Sequence, residues 1–391
     1  MTIILPEDVR KIIKSLEQHG HDAYIVGGCV RDSILGVKPK DWDITTSARP
    51  DDIVKIFPKT IETGIKHGTV TVLINRRGYE VTTYRIDGEY LDNRRPEQVT
   101  FTSDIIEDLS RRDFTVNAIA YNPKSGFVDP FDGQVDINRR LIRCVGIPEH
   151  RFGEDALRML RAVRFAGQLG FEVDESALQS IKALAPNLAN ISAERVREEL
   201  AKLLCSPNVQ AIKLLETTGL IWYIIPSYKG DTNKTISLLS VCPGNENLRL
   251  AIFFEYAGQD SFNLLRALRF DNKTTKEVSH YICMIHTIIP HDRYEIKKLM
   301  RKMPHDIFEN LLLIQALFYP ENTDKLSAIR HEAKDIIEKR ECFTLADLSV
   351  TGSDLIDAGI LPGKAVGDKL EELLDAVMRD HELNKSLHTF V

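Results

Sequence analysis

The sequence predicts an α/β head, a mixed sheet with flanking helices, followed by an all-α remainder. Three observations carry this expectation. From residue 21 to about 140, short β-rich runs alternate with helical segments and with Gly or Pro punctuation. After about residue 148 those runs largely stop, and apolar residues recur at helical spacing in EDALRMLRAVRFAGQLGF and SAERVREELAKLL. A chain of 391 residues is also too long for one ordinary core. Soft boundaries near Cys205-Ser206-Pro207 and Pro320 then predict four parts, 1–147, 148–206, 207–320 and 321–391.

Within the head, DAYIV reads as a strand, Gly27-Gly28 as a tight turn and CVRDSILG as a short helix. Paired glycines let a backbone approach a triphosphate, and a helix start offers unpaired N–H groups. Arg31 stands one turn into that helix, within reach of the same phosphates. A strand, two glycines and a helix also describe an ordinary turn, and the run fits neither GxxxxGK[ST] nor GxGxxG. Next comes Asp41-Trp42-Asp43-Ile44-Thr45. In a strand, Asp41 and Asp43 share one face. Two carboxylates on one face repel unless a cation lies between them, and such oxygen ligands suit Mg²⁺, with Mn²⁺ as the alternative. Glu80 interrupts the β-branched and aromatic pattern of YEVTTYR, as a residue facing a site on a neighbouring strand would. Three carboxylates after a phosphate turn predict two-metal nucleotidyl transfer.

The run GGCVRDSILGVKPKDWDITT resembles the signature of the DNA polymerase β-like nucleotidyltransferase superfamily, in its class II tRNA nucleotidyltransferase and poly(A) polymerase branch. The segment Arg111-Arg112-Asp113-Phe114-Thr115-Val116-Asn117-Ala118 is similar to that branch's second motif. By this resemblance Gly27, Gly28, Arg31, Arg111, Arg112, Asp113 and Asn117 bind the ribose and phosphates of an incoming nucleotide. Asp113 is then the ribose partner, and Arg111 and Arg112 face the triphosphate, their separate tasks left open by the sequence. Asp41 and Asp43 hold two Mg²⁺ ions, and Glu80 assists them.

The helical remainder opens on Glu154-Asp155-Ala156-Leu157-Arg158, read as the start of a long amphipathic helix. Spacings of three and four bring Glu154, Asp155 and Arg158 near one face. From these residues alone a surface ion-pair helix explains the pattern as well. The chemistry offers more, because a carboxylate only accepts hydrogen bonds and a guanidinium only donates them. Cytosine and adenine each present an amino donor beside a ring acceptor, whereas uracil and guanine reverse both contacts. One Asp/Arg pair can therefore choose C and A. The run is similar to the EDxxR motif of class II tRNA nucleotidyltransferases, which implies that Glu154 orients Arg158 while Asp155, Arg158 and Arg161 serve the base. By the same resemblance SAERVREELAKLL is a supporting neck motif.

The resemblance is strong over about residues 20 to 205 and patchy beyond. It implies a head, neck, body and tail, and an enzyme that builds the 3′-terminal CCA of tRNA from CTP and ATP without a template. The polar segment after Arg85 resembles the flexible loop that CCA-adding and A-adding members have, and would carry Asp87, Gly88, Glu89, Tyr90, Asp92, Arg94 and Arg95. Rival readings are a CC-adding, A-adding or poly(A) enzyme of the same fold, and, more remotely, a non-catalytic RNA-binding protein. A nucleotidyltransferase for a small molecule leaves the long helical region without a purpose.

The rest of the sequence bounds partners. The net charge of −6 argues against a nucleic-acid partner, yet basic stretches at 111–112, 297–302 and 334–340 stand out from it. Lys297, Lys298, Arg301 and Lys302 fit either tRNA phosphates or a solvated helix face. His286, His291 and His305 lack metal-ligand spacing. In the tail, Pro362-Gly363-Lys364 leads into a helix whose start suits a phosphate of the tRNA elbow. The six cysteines show no CxxC pair, so core packing is expected of them rather than disulfides or metal. No apolar run approaches the ~20 residues that span a bilayer, and MTIILPEDVRKII lacks the parts of a signal peptide, which predicts a cytoplasmic protein without membrane or protein partners.

Overall fold

The computed structural model describes residues 2–88, 99–226 and 228–386. The chain divides into two compact units, Met1–Ile236 with Ala267–Arg269, and Ser237–Arg266 with Phe270–Val391. In the first unit, helix α1 (Glu7–Gln18) buries Val9, Ile12, Ile13 and Leu16, the apolar stripe of an amphipathic helix. Then follow β1 (Ala23–Val26), α2 (Gly28–Ile34), β2 (Ile44–Thr46), α3 (Pro50–Ile56), β3 (Thr60–Gly64), β4 (Thr69–Ile74) and β5 (Arg77–Thr83). After these come β6 (Arg85–Asp87), β7 (Val99–Phe101), α4 (Ile105–Ser110), β8 (Ala120–Asn122), β9 (Gly126–Val128), α5 (Gly133–Arg139) and β10 (Leu141–Ile142). The order β3-β4-β5-β2-β1-β8-β9 makes one mixed sheet, in which only β2 and β5 run parallel. Its interior is apolar: Ile25, Ile44, Val70, Val72 and Val81 are all buried. The β4–β5 hairpin closes on Asn75-Arg76, both at positive φ, the two-residue turn whose twist matches paired strands. Asp8 of α1 accepts from Asn75 Nδ2 and Tyr79 Oη, fastening α1 to that hairpin.

Three details depart from expectation. Asp41 and Asp43 precede the ladder, which starts at Ile44. Still, the Asp43 carbonyl accepts from Val26 N, so the segment already runs beside β1. Past β5, Tyr84 pairs its backbone with Thr46 and Thr102 and turns the chain out of the large sheet. Ile86 and Asp87, expected in a loop, therefore belong to β6, opposite Thr100 and Val99 of β7. Gly88 follows, while Glu89, Tyr90, Asp92, Arg94 and Arg95 lie outside the described residues.

The third departure concerns EDALR. The chain forms α6 (Pro148–Glu154) and α7 (Leu157–Leu169) with a break between them, and Asp155 sits in that break at φ −141° and ψ 103°. Its carboxylate accepts from Leu157 N at 3.1 Å, a local bond that competes with the helical one. Asp155 and Arg158 thus do not share one continuous helix. Next come β11 (Glu172–Val173), paired parallel with β10, then α8 (Glu175–Leu184) and α9 (Ala193–Leu204), which packs along α7.

The second unit is helical throughout its described residues, with Arg293–Lys302, His305–Phe318, Thr323–Glu338 and Lys364–Arg379 among its helices. Gly363, at φ 109°, precedes the last of these. Lys297 corrects both readings of the basic stretch: it is 2% exposed, paired with Glu341 at 2.8 Å and bonded to the Met378 carbonyl. Lys298 pairs with Glu295, and Arg301 with Glu371. None of the six cysteines forms a disulfide, and Cys205 and Cys283 are exposed, so core packing holds only for the other four. No helix among the described residues is long and apolar enough to cross a membrane.

Candidate active site

The parallel register of β2 and β5 sets Ile44 beside Val81, so the residue before each, Asp43 and Glu80, stand at the same level. Ile44 and Val81 face the core, and Asp43 and Glu80 face solvent. Together with Asp41 they line one cleft of about 1140 Å³, whose walls also include Lys38, Lys40 and Arg77. Crowding by the surrounding protein raises the Asp43 carboxyl above the ordinary aspartate range; Glu80 and Asp41 add to this and Arg112 opposes it. Asp43 is open to the cleft, where the like charges of Glu80 and Asp41 act on it. Among the described residues no three His, Cys, Asp or Glu side chains close around a metal position. The donor set instead fits an ion that takes one or two carboxylates and completes its shell with water and substrate phosphate, as Mg²⁺ does.

One wall of the neighbouring turn is built from Gly27. At φ 79° it adopts the left-handed region, and a Cβ there would come 3.1 Å from Arg112 Nη1. The backbone thus calls for glycine, and any side chain there would also press on the guanidinium lying against it. Arg112 also meets Asp108 at 3.5 Å and acts electrostatically on Asp43. Asp108, fully buried, accepts from Thr45, from the Arg85 backbone N–H and from Arg111. Burial works against its ionisation, but Arg112 and Arg111 outweigh this and hold the carboxyl below the usual range. Arg111 further approaches Asp87 at 3.7 Å. Of the two arginines it is therefore Arg112 that turns to the glycine turn and the carboxylates.

Asp113 and Asn117 face the other way, into the α7 side. Asp113 is buried and accepts from Asn117 and from two nitrogens of Arg161, at 2.8 and 2.5 Å. Burial opposes its charge, and Arg161 overcomes that so far that the carboxyl lies well below the usual carboxylate range. Arg31 is mostly buried too, donating to Asn117 Oδ1 at 2.6 Å and to Asp32. Phe165 gathers three guanidiniums around its ring: Arg164 at 3.7 Å and Arg31 and Arg161 at 5.3 Å.

Around the break between α6 and α7, Arg158 pairs with Glu154, as does Arg151 at 2.8 Å. Arg158 also donates to the carbonyls of Arg151 and Arg111, at 3.1 and 3.0 Å. Asp155 is held elsewhere, by both terminal nitrogens of Arg195 at 3.2 and 2.7 Å. Segment 111–113 is thus the joint of the site: Arg112 turns to the carboxylate cleft, the Arg111 carbonyl holds Arg158, and Asp113 holds Arg161. Sequence reasoning missed Asp108, Arg151, Phe165, Arg195 and Glu199. Three of these had a signal, since Asp108 precedes Arg111 and Arg112 by three and four residues, and Arg195 and Glu199 share one face of α9.

A poly(A) polymerase head domain model matches residues 23–143, one for the RNA and SrmB-binding site of polymerase A matches 170–231, and one for tRNA nucleotidyltransferase domain 2 matches 247–388. The CCA-adding enzyme of Geobacillus stearothermophilus is 40% identical over 374 residues, covering 94% of this chain and 90% of that protein. That of Leuconostoc mesenteroides is 35% identical over 386 residues, covering 96% and 93%. The crystal structure of a Bacillus stearothermophilus CCA-adding enzyme in complex with CTP superposes with a TM-score of 0.82 at 36% identity, over 97% of this chain and 94% of that one. The Thermotoga maritima CCA-adding enzyme complexed with tRNA shares the fold, at 22% identity and a TM-score of 0.67. With a carboxylate cleft, a glycine turn and an EDxxR break on one α/β head and neck, and with relatives matched along nearly their whole length, this chain belongs to the family of CCA-adding enzymes, the tRNA nucleotidyltransferases.

Proposed function

We propose that this enzyme adds CCA to the 3′ end of tRNA from CTP and ATP by metal-assisted nucleotidyl transfer, and that its own side chains choose the base. The observation that carries the reading is the joint at 111–113, which ties the carboxylate cleft to the arginines of the EDALR segment. Asp41 and Asp43 would hold the Mg²⁺ ions, with Glu80 beside them; the mutual repulsion of these carboxylates is what a divalent cation relieves. The metals supply charge neutralisation at the triphosphate and activation of the attacking 3′-hydroxyl. Arg112 would meet the phosphates, a reading supported by its guanidinium lying against the Gly27 turn. Asp113 and Asn117 lie at the ribose end by family likeness, and in this structure they are already ordered by Arg161 and Arg31.

Asp155 supplies an acceptor and Arg158 donors, the pattern that complements cytosine and adenine and clashes with uracil and guanine. Glu154 pairs with Arg158, which supports its reading as the orienting residue. We assign head, neck, body and tail to 1–147, 148–206, 207–320 and 321–391, with the tail binding tRNA. Asp41→Ala and Asp43→Ala test the core of this reading. Each should abolish nucleotide addition while tRNA affinity stays near parental, because tRNA is held mainly by distant phosphate contacts. Near-normal turnover in either variant would remove the metal assignment.

A further inference from the structure

Helix α9 carries a cation in its first turn, where the helix N-terminus disfavours positive charge. That residue, Arg195, donates through Nη1 to Asp155 Oδ1 at 3.2 Å and through Nη2 to Oδ2 at 2.7 Å. Such a two-point grip fixes a carboxylate in both rotation and direction, which a single contact does not. The base of the grip is itself fixed, because Glu199, one turn further along α9, binds Arg164 and faces Arg161 of α7. An ionised carboxylate has about four acceptor positions. On Asp155, Oδ1 accepts from Leu157 N and from Arg195, whereas Oδ2 accepts from Arg195 alone among the described residues.

We propose that Arg195 is a positioning residue for base choice: it sets the plane of the Asp155 carboxylate so that the remaining acceptor position of Oδ2 meets the exocyclic amino group of cytosine or adenine. The proposal rests on the reading of Asp155 as base-selecting. Without the grip, Asp155 keeps its charge but turns about its own side-chain bonds, and a base lacking the amino donor is no longer met by a fixed, unpaired acceptor. Selection then weakens while phosphate and tRNA contacts persist.

The test uses the full chain, a tRNA lacking CCA, and CTP or UTP as sole nucleotide, with kcat and KM measured for the parent, Arg195→Met, Arg195→Lys, Asp155→Ala and the combined Arg195→Met/Asp155→Ala. The parental CTP-over-UTP ratio of kcat/KM should fall about tenfold or more in Arg195→Met, mostly through KM for CTP. The combined variant should fall little further than Asp155→Ala, and Arg195→Lys should recover part of the ratio, since one ammonium grips one oxygen. Melting temperatures show that each variant is folded, and Arg195→Lys carries the test where Arg195→Met is not. A kcat lowered equally for both nucleotides, with the ratio unchanged, would mean that Arg195 only supports the fold and would overturn the proposal. If Asp155→Ala loses selectivity and Arg195 variants keep it, the proposal fails alone; if Asp155→Ala keeps it too, the base-choice reading fails with it.

Discussion

At the scale of residues, the site joins an exposed set of carboxylates to a half-buried set of charges that are paired with one another. Arg158 has its donors on Glu154 and on two carbonyls, and Asp155 has its acceptors on Arg195 and Leu157 N. Removing both base-facing groups, Asp155→Ala with Arg158→Ala, should let UTP or GTP compete and slow addition, since a good two-point contact supplies roughly 1–3 kcal/mol of discrimination. Competition between labelled CTP and UTP for one tRNA end reads this directly, and undiminished rejection of UTP would discard the EDALR reading. Residue chemistry was largely legible in the sequence here. Asp41, Asp43 and Glu80, singled out by type and spacing, line one cleft, and Gly27 forms the turn that its place after a strand suggests. What spacing could not give was direction: Asp155 and Arg158 stand three apart, yet a single Asp-to-backbone bond breaks the helix between them and sends the two side chains to different partners.

At the scale of elements, the strand pattern was legible wherever apolar residues alternate, as in β4, and failed at ends decided by tertiary contacts. Tyr84 is buried, and its backbone bonds turn the chain into β6, which no local pattern discloses. The position of β6 matters because Asp87 meets Arg111, whose carbonyl accepts from Arg158. Deleting residues 89–95 should leave C addition largely intact and stop A addition; primer-extension products showing complete CCA at the parental rate would deny this segment a part in A addition. The helices of the second unit yield a different expectation. Lys297 and Glu341 form a buried pair joined by Arg293. Burial pushes the Glu341 carboxyl up, but Arg293 and Lys297 bring it down to about 2. A depressed folded-state value means stability that is complete above the ordinary glutamate pKa, about 4.3, and lost as pH falls through about 2. Glu341→Gln should therefore cost about 3 kcal/mol at neutral pH, by leaving Lys297 buried without its charge partner. Melting curves from pH 7 to 2 should show the parent losing that margin in acid while the variant changes less; equal acid loss in both would refute the pair's role. The sequence could not distinguish this lysine from a solvated one, because KKLMRK looks the same whether its helix face meets water or another helix.

At the scale of the whole molecule, the division of labour follows chemistry. A mixed sheet presents carboxylates from neighbouring strands, and the helices after it carry arginines that answer to one another through Asp113, Glu199 and Phe165. The head and neck were readable because nucleotide chemistry needs particular residue types at particular turns. The helices after 207 were readable as helices and silent about their work, because helical spacing of apolar residues reports packing and nothing else. The central claim is that one protein-built site adds two cytidines and then one adenosine with no template. A purified tRNA lacking CCA, incubated with CTP alone, ATP alone and both together, and read by sequencing its 3′ ends, tests that claim most directly. The account predicts CC with CTP alone, almost no extension with ATP alone, and CCA with both; a parent enzyme that stops at CC when both nucleotides are present, or runs on into a poly(A) tail, would contradict it.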